Sequence, residues 1–252
     1  MKILFISALY SPYMQGGAEK IVQFLAEEMQ RRGHTAVVVT SSPTHGTGVD
    51  YINGVKVYYI GLKNVYWPYG PARHSSAMKV IWHTINSHNV LMAREVARIL
   101  LREEPDLVNT HSLTGLSPAV WVAAKRHGLP IVHTLHDYSL LCPKASMYKN
   151  DRNCAQQCSM CSALTASARR QSNLVDQVVG VSRFTLDRHL KAGYFLNAEN
   201  KTVIHNGVPE PKVMPLPHPE ERRLQFGFLG RIVPPKGLEA LLRALRGLKR
   251  DD

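Results

Sequence analysis

Short runs of β-branched and apolar residues alternate along this chain with amphipathic stretches of helical length, and that alternation limits the fold more than any other feature. Runs at 2–7, 36–40, 55–60, 106–110, 130–135, 177–181 and 202–205 predict strands. Several are apolar on both faces, as in ILFI, AVVVT and QVVGV. A strand with two apolar faces must be covered from both sides, as in a parallel sheet flanked by helices. The intervening segments 18–32, 78–104, 118–127, 163–175, 183–191 and 238–249 predict helices. Gly33, Pro105, Gly128 and Gly193 supply stop signals. Strand and helix in strict alternation give βαβ units, so the fold class expected is α/β, a Rossmann-like doubly wound parallel sheet.

The clearest boundary is 208–219, where five of twelve residues are proline. Such a segment cannot carry a helix or a central strand. It divides a domain at 1–207 from a linker at 208–221 and a short piece at 222–252, in which LQFGFLG predicts one strand and 238–249 one helix. One strand and one helix cannot bury a core of their own, so the second domain is expected to be incomplete. The 252 residues, 44% hydrophobic, suffice for the first domain. A net charge of +12 and a pI near 9.7 point to anionic partners. With no basic tail and no nucleic-acid module, a diphosphate or a membrane surface fits better than nucleic acid. MKILFIS is too short for a signal-peptide core and no apolar run reaches membrane-spanning length, so a cytoplasmic protein is expected, resting peripherally on the inner face of a membrane.

Three places carry candidate chemistry. After the first strand, Gly16 and Gly17 lead straight into a helix, where backbone N–H groups can approach an anion; an ordinary glycine turn is the alternative. His111 and the pair His136–Asp137 fall at the ends of neighbouring strands, where open α/β sheets bind ligands; a buried core histidine is the alternative at any one of them. Gly230–Arg231 and Lys236–Gly237 surround a basic loop suited to two phosphates, or simply to solvent.

The segments GGAEK, REEPDLVNTHS, PIVHTLHDYSLLCP, VVGVSRFT, IHNGV and FLGRIVPPKG, in this order and spanning essentially the whole chain, resemble glycosyltransferase family 4. These are retaining enzymes of GT-B fold that use nucleotide-diphosphate sugars. The resemblance implies that His136, with Asp137, lies at the reacting centre and that Gly16 and Gly17 approach the donor phosphate. It implies that Arg231 and Lys236 hold the diphosphate in place of a divalent metal, so that catalysis requires no cofactor. Glu19, His111, Ser182 and Asn206 would face the acceptor cleft, with Asn206–Gly207 at the interdomain crossover. The acceptor implied is a glycan or lipid-linked molecule. Asn109 stands where similar sequences often carry another histidine. No Glu-x7-Glu motif follows Lys236, although the family's second domain carries one. The resemblance therefore implies that these 252 residues alone are nearly inactive, or that a partner chain supplies the donor half. A related sugar-nucleotide epimerase is a further alternative.

Cys142, Cys154, Cys158 and Cys161 form a C-x11-C-x3-C-x2-C cluster. The spacing is open to structural zinc, free thiols, disulfides or an iron–sulfur centre. Between Lys63 and Arg102 six Lys/Arg face one acid, Glu95, among Tyr66, Trp67, Tyr69 and Trp82. That stretch reads either as a surface for anionic lipid or as an ordinary solvated helix face.

Overall fold

A computed structural model describes residues 1–210 and 226–247. The chain divides into two units, Met1–Met147 with Ala155–Val208, and Tyr148–Cys154 with Pro209–Asp252. Most of the expected linker at 208–221 lies outside the described residues.

The first unit is built on β1 (Lys2–Ser7), β2 (Thr35–Ser42), β3 (Thr47–Ile52), β4 (Val55–Gly61), β5 (Leu107–Thr110) and β6 (Ile131–Leu135). The second unit holds the short pair β7 (Tyr148–Lys149) and β8 (Arg152–Asn153), and β9 (Gln177–Gly180) and β10 (Asn200–Val203) return to the first. Eight strands form one sheet in the order β10-β9-β6-β5-β1-β2-β4-β3. Every pairing is parallel except β3 with β4. From β1 the chain winds outward through β2 to β4, then returns beside β1 as β5 and winds the other way. The expected doubly wound sheet is present, with its switch point between β1 and β5.

The helices are α1 (Gly17–Arg31), α2 (Ser76–Ser87), α3 (Val90–Glu103), α4 (Ala119–Arg126), α5 (Ser159–Leu164), α6 (Ala166–Gln171), α7 (Arg183–Lys191) and α8 (Leu238–Gly247). Helix α1 lays Val22 and Ala26 against Ile3, Phe5, Ala36 and Val38 of β1 and β2. Fully burying one such side chain is worth about 1.5–3 kcal/mol. Because strands and helix cover each other's apolar faces, the central strands carry almost no exposed residue.

Four local expectations are corrected. The single helix at 78–104 is two, because Asn89 interrupts it. Its Oδ1 accepts from Met92 N at 3.1 Å as the cap of α3, its own N–H donates to Ser117 Oγ at 2.8 Å, and its Nδ2 donates to Lys63 O at 2.8 Å. The helix at 163–175 is likewise α5, α6 and a 3-10 turn at Ser172–Leu174. Strand β3 was not expected, although Asn53–Gly54 announces the hairpin. Both residues have positive φ, 49° and 83°, as a tight two-residue turn requires. Finally, residues 226–230 form no strand. A strand needs a neighbour to satisfy its backbone, and none pairs with these residues among those described.

Candidate functional site

Strands β1, β5 and β6 are parallel neighbours, so their carboxyl ends open on one edge of the sheet, next to the switch point. That is where doubly wound sheets hold ligands. His111 follows β5 directly, its N–H bonded to Ile6 O at 2.8 Å, and His136 follows β6.

The structure brings these two histidines together. His111 Nδ1 lies 2.9 Å from His136 Nε2, and the rings stack with centroids 5.1 Å apart. Phe5 backs the ring of His111. Burial, and then the neighbouring histidines, hold His111 well below the ordinary imidazole range. Burial also lowers His136, opposed by the carboxylate of Asp137. Both are therefore neutral near pH 7, and one ring donates its N–H to the other. His111 Nε2 is buried and makes no hydrogen bond among the described residues. Asp137 is held in place by Ser139 N, which donates to its Oδ1 at 2.7 Å.

Across the switch point, Gly16 caps α1 in an extended conformation. A side chain at Gly16 would come within 3.2 Å of Glu19 Oε2, whereas a Cβ at Gly17 would meet nothing within 4 Å. Gly16 thus leaves room for the Glu19 carboxylate, and Gly17 leaves the first N–H groups of α1 open to approach. Those unpaired donors and the helix dipole favour an anion. Glu19 Oε2 is itself buried without a partner among the described residues.

Other expected residues have different surroundings. Ser182 caps α7, accepting from Thr185 N at 3.2 Å, so its oxygen is already engaged in holding the helix. It nevertheless stands at the carboxyl end of β9, on the same edge of the sheet. Asn206 is exposed just beyond β10. Arg231 and Lys236 are exposed in the second unit, Lys236 closing a 3-10 turn before Gly237 at φ 74°. His133 is a core residue, bonded to Thr110 Oγ1 at 2.9 Å and stacked on Phe195.

No disulfide joins the cysteines. Burial, and then contact with the thiols of Cys158 and Cys142, push Cys161 up to about 12. Cys154 belongs to the second unit. Among the described residues no three His, Cys, Asp or Glu side chains are already disposed to hold a metal ion. Of the aromatic stretch, Trp82 is interior, and its Nε1 donates to Tyr66 O at 2.9 Å. Tyr69 reaches the site instead. Burial, then the carboxylates of Asp137 and Glu19, raise its phenol above the ordinary range, with a hydrogen bond to Thr114 opposing. Sequence reasoning placed Tyr69 in a stretch read either as a lipid surface or as an ordinary solvated helix face, although the turn-forming WPYG around it was a signal that the segment doubles back.

Residues 15–210 match the family described as Glycosyltransferase Family 4. The chain is 34% identical over 239 residues to an uncharacterized 42.6 kDa protein in the cps region of Klebsiella pneumoniae, covering 95% of this chain and 63% of that protein. It is 24% identical over 241 residues to one subunit of the human phosphatidylinositol N-acetylglucosaminyltransferase, covering 95% of this chain and 43% of that protein. The chain thus spans between two fifths and two thirds of the length of these relatives. Among solved structures, the sucrose-phosphate synthase of Thermosynechococcus elongatus superposes with a TM-score of 0.52 at 15% identity, over 80% of this chain and 47% of that one. The catalytic domain of starch synthase IV from Arabidopsis thaliana, bound to ADP and acarbose, gives 0.50 at 13% identity, over 82% and 51%. These likenesses agree with the doubly wound sheet in fold. With the family match covering most of its length, the chain belongs to glycosyltransferase family 4.

Proposed function

We propose that this chain forms the acceptor-side part of an enzyme that moves a glycosyl group, with retention, from a nucleotide-diphosphate sugar to a glycan or lipid-linked acceptor. The observation that carries the reading is the contacting His111–His136 pair at the carboxyl edge of the sheet, across the switch point from the N-terminus of α1. Retention with a diphosphate leaving group asks for positioning and charge stabilisation more than for a strong protein base. A neutral His136 suits that role, because it can hydrogen-bond a donor hydroxyl without competing for the diphosphate's charge. The α1 N-terminus offers N–H groups to phosphate; Arg231 and Lys236, exposed in the second unit, are the cations the family pattern would use in place of a metal.

In this reading the protein works at the inner face of a membrane. Support comes from exposed Val80, Ile81 and Leu91 beside Lys79, Arg94 and Arg98, and from the phosphatidylinositol in the human relative's name. No helix among the described residues is long and apolar enough to cross a membrane. A second reading is a non-catalytic acceptor-binding subunit that pairs with a chain supplying the donor half; exposed Phe226, Leu229, Ile232 and Leu242 favour it. We also propose structural zinc on the cysteine cluster, supported by its spacing and by the contacts of Cys161 with Cys158 and Cys142.

The test is transfer from labelled UDP- and GDP-sugars to a lipid extract by the protein purified at its native mass. Transfer that falls about 100-fold or more in His136→Ala supports the reading. Absence of transfer from every donor, or transfer untouched by the substitution, overturns it.

A further inference from the structure

The segment between β4 and α2 is tied back onto the candidate site. Gln15 Nε2 donates to Tyr69 O at 2.9 Å, joining it to the loop that carries Gly16. Trp67 packs edge-on against Tyr69 at 5.3 Å and against Tyr13 at 6.3 Å, and Tyr13 in turn meets Tyr59 edge-on at 6.2 Å. Tyr13, Trp67 and Tyr69 are all half-buried, and each ring is braced by its neighbours. Glu19 follows Gln15 by four residues, and the carboxylates of Asp137 and Glu19 both act on the Tyr69 phenol. One oxygen of Glu19 has no partner among the described residues.

Rigid aromatic rings near a carboxylate with an unpartnered oxygen suit one class of ligand. A polyhydroxylated six-membered ring has an apolar C–H face to lay on an aromatic side chain and hydroxyls at its rim to donate to carboxylates. An acyl chain would leave the Glu19 carboxylate desolvated without a partner, which costs several kcal/mol.

We infer that Tyr13, Trp67 and Tyr69 form a subsite that stacks on the ring of the acceptor sugar or cyclitol, with Glu19 and Asp137 accepting its hydroxyls. This rests on the glycosyltransferase reading and gives the acceptor a chemical class at the atoms next to His136. Tyr13 and Trp67 act as specificity-determining residues; they need not touch the reacting atoms.

The three tryptophans make the subsite observable, because Trp82 and Trp121 are 1% and 0% exposed and only Trp67 is within a ligand's reach. Saturation-transfer NMR and tryptophan fluorescence would be recorded with methyl glucoside, methyl galactoside, methyl mannoside, methyl N-acetylglucosaminide and myo-inositol as probes. At least one probe is expected to bind and to perturb the fluorescence. Trp67→Ala should weaken binding about tenfold, Trp67→Phe should restore most of it, and circular dichroism should be the same for both. Binding by the pyranosides or by myo-inositol identifies which ring source is used. No binding by any probe, or binding that survives Trp67→Ala, overturns the subsite. Donor transfer is read separately. Transfer without ring binding sinks the subsite alone, and ring binding without transfer sinks the reaction.

Discussion

Acidifying this protein should destabilise it through His189, and the structure sets the size of the effect. The ring is fully buried; Nδ1 donates to Thr185 O at 2.9 Å, and Nε2 has no partner among the described residues. Burial is the main cause that lowers this histidine from 6.5 to about 4, against the hydrogen bond to Thr185 O. The unfolded chain therefore takes up a proton as pH falls through about 6.5, while the folded chain refuses it until about 4. Between those values the unfolded state binds more protons, so stability drops as pH drops. At about 1.4 kcal/mol per unit, the loss from this one residue is roughly 3 kcal/mol. His111 and His133 are displaced in the same direction and add to it. Urea unfolding followed by far-UV circular dichroism at several pH values between about 7 and 4.5 measures the slope. His189→Gln should be less stable near neutrality, having lost ring packing on Tyr138 and Tyr194, yet its stability should depend on pH less steeply by roughly that amount. Parallel curves for the two proteins would refute the argument.

Gly180→Ala should destabilise the fold by about 1–3 kcal/mol, because the new Cβ would lie 2.6 Å from Leu186 Cβ and 3.0 Å from Ser182 O, where α7 packs on β9. A thermal melt unchanged from that of the parent would show that α7 can move away at little cost. For the cysteine cluster, anaerobically purified protein should contain about one equivalent of zinc per chain, with release of metal when Cys161 is replaced by Ser; zinc coordination would deprotonate the Cys161 thiol that burial now keeps neutral. Elemental analysis finding well under one equivalent would reject that proposal.

The sheet and its winding were legible because the periodicities are local. Helix α7 was read at its observed bounds, since Ser182 starts it and Gly193 stops the chain just beyond. The helix at 78–104 was overrun for the opposite reason. Its apolar rhythm lapses only over the four polar residues 86–89 and resumes at Val90, and what fixes the break is the set of bonds Asn89 makes to residues distant in sequence. The hairpin at Asn53–Gly54 had a local signature that went unused. At the site, His111 and His136 could be paired from sequence because each ends a strand, and the order of strands in a doubly wound sheet makes those ends neighbours. Tyr13 and Tyr69 could not, since their meeting depends on how a connection folds back, which no period in the sequence encodes. Ser182 was assigned to the cleft, while its oxygen serves as a cap; both uses select the same residue type.

The connection that carries Trp67 and Tyr69 is anchored at both ends by elements that have other reasons to stay put. At one root Lys63 O is held by Asn89, and at the other Ser75 Oγ accepts from Met78 N at 3.3 Å to start α2. Between these roots the chain makes no strand or helix, so its length and lettering can drift without disturbing the sheet. A fold arranged this way separates inheritance of the reaction from choice of acceptor. Grafting the span 64–74 from one relative into another should exchange the glycan accepted while leaving the His111–His136 pair where it stands.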